Sequence, residues 1–533
     1  MVGMRALLVQ ARSAPTYWSY HYSLPFAGKT ALLPPLGLAT LAALLPKNWD
    51  LRIVDLHVEP LLNSELAWAD VVLVSGMLAQ SESIREVLRR ARKLGKRTVV
   101  GGPAPTTAPE SFPEADHVFR GEAEGGNLEL LVAALTDGNR EAPRILSPAD
   151  RGRWPDLMGS PVPRFDLLDL SRYASLAIQT SRGCPFHCEF CDIVEIFGHV
   201  PRPKPAEQVL AELEVLWQLG ARGALFFVDD NFIGNRQAVA KLLPRIAAWQ
   251  EARGRPFDLY TEASLDLASE PEIVDAMVSA GFTEVFIGIE TPSAIALESA
   301  GKRHNLRLDP AEAVARLTAA GLEVFAGFIV GFDSDSEEIF DSQIEFISRL
   351  AVPRAMVGLL TALPGTALWR RLEHEGRLRR ISSGDQFERP NFETVMPERA
   401  LLAGYRRVLE TLYSSRAYYR RCEVLLRQAR LPMSARRPGW AGPLLRAIWE
   451  IGFIGPRRLL FWKLLGQGLL RGPKGFSKAV TLAILGEHHV RYTQEIAVPR
   501  IDRILQELSS EGLDARDGRM PDRAIEATTR LTA

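Results

Sequence analysis

Ser181-Arg-Gly-Cys184-Pro-Phe-His-Cys188-Glu-Phe-Cys191 is the most informative segment of this chain, because it holds three of the four cysteines. Thiolates are the usual protein ligands of iron–sulfur clusters, and three thiolates on four irons leave one iron open to a small molecule. The fourth cysteine, Cys422, lies far along the chain in a helical, Arg- and Tyr-rich segment and is predicted to be structural. The segment therefore predicts a [4Fe–4S] cluster whose ligands are Cys184, Cys188 and Cys191.

A zinc site is the alternative interpretation of the same cysteines. Structural zinc takes four ligands, commonly in two pairs with a spacing such as C-x2-C. His187 is the candidate fourth ligand, but it lies between two of the cysteines, where the geometry disfavours it. No second pair of cysteines follows downstream, so the pattern favours iron over zinc.

Strand-like and helix-like segments alternate around the cysteines, which is typical of an α/β protein. Strands are predicted near 176–181, 224–229, 257–263, 284–290, 323–330 and 355–361. Helices are predicted near 205–219, 235–252, 270–280, 309–320 and 335–350, with apolar residues on one face. Six such units predict a partial (β/α)6 barrel over residues 171–395, with its chemistry on the loops that follow the strands.

The amino-terminal third of the chain shows a second series of alternating elements. Short apolar runs at 4–10, 51–56, 70–75, 97–101 and 116–120 are each typical of a buried strand. This order predicts a Rossmann-like domain over 1–140, with a doubly wound parallel sheet whose ligand crevice lies at the carboxyl ends of the strands. A Pro- and Asp-rich linker over 141–170, a helical carboxyl-terminal domain over 396–508 and a disordered polar tail over 509–533 complete the predicted domains.

The composition of the chain limits the binding partners and the cellular compartment that can be expected for it. The 64 basic residues balance 64 acidic ones, so no global field draws the chain to nucleic acid. Four cysteines are too few for a disulfide scaffold, and their clustering indicates a metal site in a reducing compartment. The chain starts without a signal-peptide pattern and has no apolar run long enough to span a bilayer, so a cytoplasmic location is expected.

The spacing C-x3-C-x2-C, with the aromatic Phe190 before its last cysteine, resembles the signature of the radical S-adenosylmethionine superfamily. The resemblance implies that the open iron chelates the amino and carboxylate groups of S-adenosylmethionine. Reductive cleavage of the sulfonium then gives a 5′-deoxyadenosyl radical that abstracts hydrogen from an unactivated carbon. It also implies a reductant, such as a flavodoxin or a ferredoxin, as a partner.

Polar residues at successive strand ends resemble those with which the superfamily holds S-adenosylmethionine. By this resemblance the second strand end binds the methionine amino group, the third binds the ribose, and Gly327–Gly331 occupies the fifth. Carboxylates suit an ammonium group. The alternative is that these residues only cap the helices that follow. The candidates are Asp229, Asp230 and Asn231 on the second strand end, Glu262 and Ser264 on the third, and Glu290 on the fourth.

A Rossmann-like domain before such a barrel resembles the cobalamin-binding class of the superfamily. The resemblance includes Pro34-Pro-Leu-Gly37 and the glycines Gly101 and Gly102, which permit a close approach of backbone to a flat ligand. The loop that begins with Ser75 and Gly76 is expected to contact the corrin. A dinucleotide is the weaker alternative, because no G-x-G-x-x-G follows the first strand.

His57 is the candidate protein ligand of cobalt, because Asp55-Leu-His57 is similar to the start of the cobalamin motif D-x-H-x-x-G. Pro60 replaces the glycine of that motif, and the triplet follows the second strand. Cobalamin is therefore expected to bind without a strong protein ligand below the cobalt, and ligation by His57 stays the alternative.

With both cofactors, the resemblance implies a cobalamin-dependent methyltransferase that acts on an unactivated carbon. Residues 188–193, 227–235 and 362–366 resemble a branch with an extra carboxyl-terminal domain, which includes hopanoid C-2 methylases. A small hydrophobic substrate, hopanoid-like or a tetrapyrrole, is therefore expected. A radical cyclase or rearrangement enzyme, and a non-catalytic cofactor-binding sensor, are the alternatives.

Residues 441–492 combine apolar and basic residues, with Gly455-Pro456 and Gly472-Pro473 as interruptions. Trp and Leu beside Arg and Lys are typical of helices that lie in a membrane interface. Because the charges and interruptions recur too often for a spanning helix, peripheral membrane contact is one expectation. The alternative is a helical subdomain that packs its apolar face on the barrel.

Overall fold

The structure is a computed structural model and describes residues 3–136, 143–148, 154–430 and 441–516. The amino-terminal part holds six parallel strands in the order β2-β1-β3-β4-β5-β6. Their bounds are β1 Arg5–Gln10, β2 Asp50–Asp55, β3 Val71–Ser75, β4 Arg97–Gly101, β5 His117–Phe119 and β6 Ile145–Leu146. Apolar side chains are buried on both faces of this sheet, as a doubly wound fold requires.

The strand order of this sheet reverses between β1 and β3, which is the point where doubly wound sheets bind ligands. The predicted Rossmann-like fold is confirmed, but its sixth strand, β6, falls inside the segment predicted to be a linker. The helices that cover the sheet are α1 Leu36–Leu44, α2 Asn63–Trp68, α3 Ser81–Lys93, α4 Pro103–Thr107 and α5 Asn127–Thr136.

The second part is a half-barrel of six parallel strands in the order β14-β13-β12-β11-β10-β7, as predicted. Its strands are β7 Ser175–Ile178, β10 Gly223–Phe227, β11 Phe257–Ala263, β12 Phe282–Glu290, β13 Glu323–Val330 and β14 Ala355–Leu359. A two-stranded hairpin, β8 Ser181–Arg182 and β9 Arg202–Pro203, frames the cysteine segment. The helices of this part are α6 Ile193–Phe197, α7 Ala206–Gln218, α8 Arg236–Ala252, α9 Pro271–Ala280, α10 Ala294–Ser299, α11 Pro310–Ala320, α12 Ile339–Leu350 and α13 Ala367–His374.

Side chains that face the inside of the half-barrel are less buried than those that face the surrounding helices. In β11, for example, Leu259 and Thr261 face the helices and are fully buried, whereas Tyr260 and Glu262 face inward and are only half-buried. Because neighbouring strand residues point to opposite faces, this alternation leaves accessible space inside the barrel, below the strand ends.

The helical carboxyl-terminal region closes the open side of the half-barrel. The hydroxyls of Tyr405 and Tyr413 donate to the carbonyls of Val357 (2.9 Å) and Ala355 (2.6 Å) along the free edge of β14. Edge strands expose unpaired backbone groups, and these hydrogen bonds satisfy them. The helices are α14 Glu398–Leu412, α15 Ser415–Gln428, α16 Ala441–Ala447, α17 Arg458–Leu470, α18 Gly472–Tyr492 and α19 Val498–Arg516.

Two features of this region differ from the sequence prediction or add to it. The last helix runs to Arg516, so residues 509–516 are helical rather than part of the predicted tail, and 517–533 lie outside the described residues. Two π-helical segments, Ile448–Ile454 and Thr493–Ala497, follow α16 and α18.

Two neighbouring histidines of α18 are buried in an aromatic cluster. The His489 ring lies 5.3 Å from the ring of Tyr413 and 5.4 Å from that of His488, measured between centroids. Burial lowers the pKa of His488 to about 4 and holds the pKa of His489 well below its usual value. Both histidines are therefore neutral in the folded protein at pH 7.

Acid is expected to destabilise the fold through these histidines. As the pH falls from about 6.5 towards 4, the unfolded chain binds protons that the folded chain does not. The free energy of unfolding therefore falls by about 1.4 kcal/mol per pH unit for each histidine. His489→Phe, which keeps an aromatic ring in the cluster, should flatten the dependence of unfolding free energy on pH in this range. Urea unfolding at several pH values measures it; an unchanged slope in the variant would contradict the assignment.

Candidate cofactor site

The cysteine segment forms a loop between the two strands of the β8–β9 hairpin. Gly183 begins this loop with a φ of +97°, and a Cβ there would lie 2.9 Å from the carbonyl oxygen of Val200. A side chain is therefore excluded, and glycine lets the chain turn sharply before the first cysteine. The backbone N–H of Cys184 then donates to the carbonyl of Gly198 (3.2 Å), and that of Cys191 donates to Cys188 (3.1 Å).

Contacts from the far side of the barrel hold the loop in place. The N–H of Glu189 donates to the carbonyl of Ala300 (3.0 Å), and its own carbonyl accepts from the N–H of Leu368 (2.8 Å). The guanidinium of Arg371 makes a bidentate pair with the Glu189 carboxylate, at 3.2 and 3.0 Å. Such paired hydrogen bonds fix geometry as well as adding energy, so the cysteine loop is pre-organised.

The three cysteines of the loop present partly buried thiols to a metal centre. Burial raises the pKa of Cys184, Cys188 and Cys191, so each thiol is expected to lose its proton only on binding metal. Among the described residues, no group of three or more His, Cys, Asp and Glu is spaced to hold one ion. In a cubane each thiolate binds a different iron. Cys422 is buried in α15, as predicted.

Lys302 places a positive charge beside the cysteine loop, which the sequence did not reveal. Its ammonium forms a buried ion pair with Glu290 and lies 5.8 Å from the centre of the Phe190 ring. Burial opposes this charge, but Glu290 and Cys188 outweigh burial and raise the pKa of Lys302. A Cβ on Gly288 would lie 2.6 Å from the ammonium, so glycine leaves the space for it.

The backbone of Glu290 is shaped to make this pair. Its φ is +71°, a region that residues other than glycine rarely adopt, and the register between β12 and β13 shifts between Gly288 and Glu290. Such a bulge redirects a side chain at a strand end. The carboxylate of Glu290 is thus taken up by Lys302 instead of standing free at the strand end.

The three polar residues after β10 have different surroundings. Asp229 is fully buried and accepts hydrogen bonds from the Thr180 N–H (2.6 Å) and the Ser181 hydroxyl (3.1 Å). These hydrogen bonds tie Asp229 to the base of the cysteine loop, and its binding of the methionine amino group stays a prediction. Asn231 is likewise held in place, because its amide donates to the Ser264 hydroxyl (3.2 Å).

Asp230 and Glu262 are the carboxyl groups best placed to meet a ligand. Burial raises the pKa of Asp230 to about 7 and that of Glu262 to about 8. Asp230 accepts one hydrogen bond, from the Gly183 N–H (2.9 Å). Glu262 makes no hydrogen bond or ion pair with any residue that the structure describes, and it faces the space inside the barrel. A half-buried carboxyl group without a protein partner is free to bind a ligand or water.

The predicted cobalamin loops lie at the switch point of the amino-terminal sheet. Gly102 has a φ of +101°, and a Cβ there would lie 2.6 Å from the Ser75 hydroxyl. The carbonyl of Gly76 accepts the N–H of Ala104 (3.2 Å), so the loops after β3 and β4 pack directly on each other. Gly102 is therefore explained by this packing, and corrin contact by Ser75, Gly76, Gly101 and Gly102 stays a prediction.

His57 has both ring nitrogens in hydrogen bonds. The Ser13 N–H donates to Nε2 (3.1 Å), so Nδ1 carries the proton and donates to the Asp55 carboxylate (2.9 Å). Both ring nitrogens are occupied in this arrangement, and binding of cobalamin without a His57 ligand stays a prediction. We expect His57→Ala to keep bound cobalamin and its visible absorption spectrum. A large spectral shift in this variant would show instead that His57 ligates cobalt.

A buried ion-pair cluster joins the amino-terminal domain to the cysteine loop, and sequence reasoning missed it. Arg202 makes a bidentate pair with Glu122 (2.6 and 3.2 Å), and Arg182 pairs with Glu122 and Glu124. The glutamates follow β5, whereas the arginines lie on the β8–β9 hairpin. Because Arg182 stands two residues before Cys184, this cluster fixes the domain's loop against the base of the cysteine loop.

Comparisons with known proteins agree with this geometry. Residues 30–131 match the B12 binding domain, residues 178–347 match the radical SAM superfamily, and residues 366–500 match a domain of unknown function, DUF4070. An uncharacterized methyltransferase of Synechocystis sp. is 39% identical over 92% of this chain and 92% of its own length. The hopanoid C-2 methylase of Rhodopseudomonas palustris is 34% identical over 92% of this chain and 94% of its own.

The chain belongs to the cobalamin-dependent radical S-adenosylmethionine methyltransferases. It is therefore an enzyme that uses a [4Fe–4S] cluster, S-adenosylmethionine and cobalamin, so the three predicted cofactors are confirmed. Family membership favours catalysis over a non-catalytic sensor. Which residues bind each cofactor stays a prediction.

Two solved structures share the fold of this methyltransferase. The cobalamin-dependent S-adenosylmethionine radical enzyme OxsB has a TM-score of 0.59 at 16% identity, over 98% of this chain and 82% of that one. The radical S-adenosylmethionine methyltransferase TsrM from Kitasatospora setae has a TM-score of 0.53 at 18% identity, over 71% of this chain and 78% of that one. At these identities the likeness shows the common fold alone.

Proposed function

We propose that this enzyme transfers a methyl group to an unactivated carbon of a small hydrophobic, hopanoid-like lipid. The observation that carries the proposal is the extent of similarity to the hopanoid C-2 methylase, which covers 92% of this chain and so includes the helical carboxyl-terminal region. The bacteriochlorophyllide d C-12(1)-methyltransferase of Chlorobaculum tepidum, in contrast, is similar over 65% of this chain. The tetrapyrrole is therefore the second candidate.

The inside of the half-barrel suits an apolar substrate. Stacked rings of Phe226 and Tyr260 lie 4.7 Å apart, and Phe286 contacts the rings of Trp18 (5.1 Å) and Phe325 (5.3 Å). Most of these inward-facing rings are only half-buried, so they offer apolar surface to a guest. Aromatic faces of this kind contribute large contact areas with little conformational freedom to lose.

The polar residues of the site divide the remaining tasks. The cluster and S-adenosylmethionine supply hydrogen abstraction, and cobalamin supplies the methyl group. Cys184, Cys188 and Cys191 would hold the cluster, and Lys302 balances the negative charge of these thiolates. Asp230 and Glu262 would bind polar groups of S-adenosylmethionine at the mouth of the barrel. The protein contributes position and a site shielded from water, since the difficult chemistry belongs to the cofactors.

The proposed place of action is the cytoplasm, at the surface of the membrane that holds such a lipid. In the described part of the chain, no helix is both long enough and apolar enough to cross a bilayer. A soluble one-electron donor, such as a flavodoxin or a ferredoxin, is the proposed reductant.

A pair of candidate substrates tests the proposal. The anaerobically reconstituted enzyme is incubated with S-adenosylmethionine, a reductant and either a pentacyclic hopanoid or a bacteriochlorophyllide, and the products are analysed by mass spectrometry. We expect the hopanoid to gain one methyl group and the tetrapyrrole to remain unchanged. Methylation of the tetrapyrrole alone would transfer the proposal to the second candidate.

A further inference from the structure

The helical hairpin formed by α16, the following π-helical segment and α17 exposes an unusual amount of apolar surface. Eight large apolar side chains point to solvent on it, with Leu459 at 81% and Leu470 at 88% of full exposure. Large contiguous apolar patches are uncommon on soluble proteins and mark sites of association. We call these eight residues the hairpin face: Leu445, Trp449, Phe453, Ile454, Leu459, Trp462, Leu469 and Leu470.

The hairpin face lies on the outer side of its helices and does not take part in their packing on the rest of the protein. The opposite sides of the same helices are already packed, since Ile451, Phe461 and Leu464 are fully buried. The helix α17 also crosses α18 closely, because a Cβ on Gly468 would lie 2.7 Å from that of Ala479. The packing expected from the sequence thus uses the inner faces of the helices and leaves the outer faces free.

Leu445, Trp449, Phe453 and Trp462 form a stripe that crosses from the first helix of the hairpin to the second. Leu445, Trp449 and Phe453 are spaced four apart, which keeps them on one side of the helix. The Phe453 ring lies 6.3 Å from that of Trp449 and 6.0 Å from that of Trp462, on the second helix. The Trp462 indole N–H donates to the carbonyl of Gly452 (2.9 Å), so its ring can enter an apolar medium without losing a hydrogen bond.

Positive charge surrounds this stripe. Of the six basic side chains in residues 441–474, Arg457 is buried in an ion pair with Glu487 and Lys463 pairs with Glu423. The other four are exposed: Arg446, Arg458, Arg471 and Lys474. Arg458 begins α17 and Lys474 lies in the first turn of α18, and neither side chain forms an ion pair or hydrogen bond with any residue that the structure describes. Arg446 stands beside Leu445 and pairs loosely with the exposed Glu450, at 3.8 Å. A bilayer rich in anionic lipid complements such a border of basic residues.

We infer that the hairpin face docks the enzyme onto an anionic lipid bilayer, with the apolar stripe inserted among the acyl chains. An apolar face with Trp and Phe and a border of Arg and Lys is the composition of helices that lie in the membrane interface. Self-association through the same face would bring two like-charged borders together, which disfavours a second copy as the partner. The inference rests on the proposed function in one respect, because a lipid substrate would be held in the bilayer onto which the enzyme docks.

Vesicle co-sedimentation of the full-length holoenzyme tests the inference. We expect binding to vesicles that contain phosphatidylglycerol, weaker binding to phosphatidylcholine alone, and loss of binding as salt rises. The variant Trp449→Ser/Leu459→Ser/Leu470→Ser should bind at least tenfold more weakly. Arg458→Glu/Lys474→Glu should lose the preference for anionic lipid. These residues are exposed, so their replacement is not expected to unfold the protein.

Matched controls replace exposed apolar residues elsewhere: Leu62→Ser and Leu219→Ser, at 53% and 47% exposure, should bind like the wild type. Equal binding of the triple variant and the wild type would overturn the inference. The inference would also be overturned if the wild type bound no vesicles and instead formed a concentration-dependent dimer that the triple variant loses. A wild type that binds vesicles but methylates no hopanoid would leave the docking surface standing and refute the proposed substrate instead.

Discussion

Replacement of Cys184, Cys188 or Cys191 by alanine is expected to reduce the iron content from about four atoms per chain to nearly none. Each variant leaves two thiolates, which cannot retain a cubane that three thiolates bind. Iron analysis of anaerobically purified protein, together with the brown absorption of the cluster, measures the loss. No 5′-deoxyadenosine should form in these variants.

Two further variants serve as controls for this experiment. Cys422→Ala should keep full iron content, because Cys422 is buried in α15 and lies outside the cysteine loop. His187→Ala should keep it too, since the histidine is not needed when the fourth position is open. Zinc in place of iron in the wild type, or loss of metal from His187→Ala, would contradict the three-cysteine cluster.

Lys302→Met is expected to lower the free energy of unfolding by about 3–5 kcal/mol, because it leaves the Glu290 carboxylate buried without its partner. Urea unfolding of the apoprotein, followed by circular dichroism, measures this loss. The double variant Lys302→Met/Glu290→Gln removes both charges and should recover part of the stability, as expected for two coupled residues.

The adjacent Arg303 provides the matched control for this variant. Arg303 is exposed and pairs with the exposed Glu298 at 3.5 Å, so Arg303→Met should change stability by less than about 1 kcal/mol. If Lys302→Met were as stable as the wild type, or the double variant no more stable than Lys302→Met, the buried pair would not have the role assigned to it.

Sequence reasoning predicted the features that depend on local pattern. The strands β7 and β10–β14 fall where apolar runs recur, because a buried parallel strand needs an unbroken apolar segment. The cysteine loop could be predicted equally well, because its three cysteines lie close together in the sequence. The strand β6 was missed, because a two-residue strand gives no periodic signal and the surrounding residues resemble a linker.

Features that depend on contacts between distant segments were not predictable in this way. Lys302 follows Gly301 in a polar stretch that looks solvent-exposed, and only the folded barrel brings it to Phe190. The pairing of Arg202 with Glu122 joins two domains, and no local pattern distinguishes these residues from surface charges. Asp229 lies at the predicted strand end, but its hydrogen bonds to Thr180 and Ser181 join segments that are far apart in the sequence and could not be predicted.

One turnover experiment tests the central claim that this enzyme couples radical chemistry to methyl transfer. The reconstituted enzyme is reduced under anaerobic conditions with S-adenosylmethionine, cobalamin and a hopanoid, and two products of S-adenosylmethionine are quantified beside the methylated lipid. We predict equal amounts of 5′-deoxyadenosine and S-adenosylhomocysteine, one of each for every methyl group transferred. Methylated lipid with S-adenosylhomocysteine but without 5′-deoxyadenosine would contradict the claim.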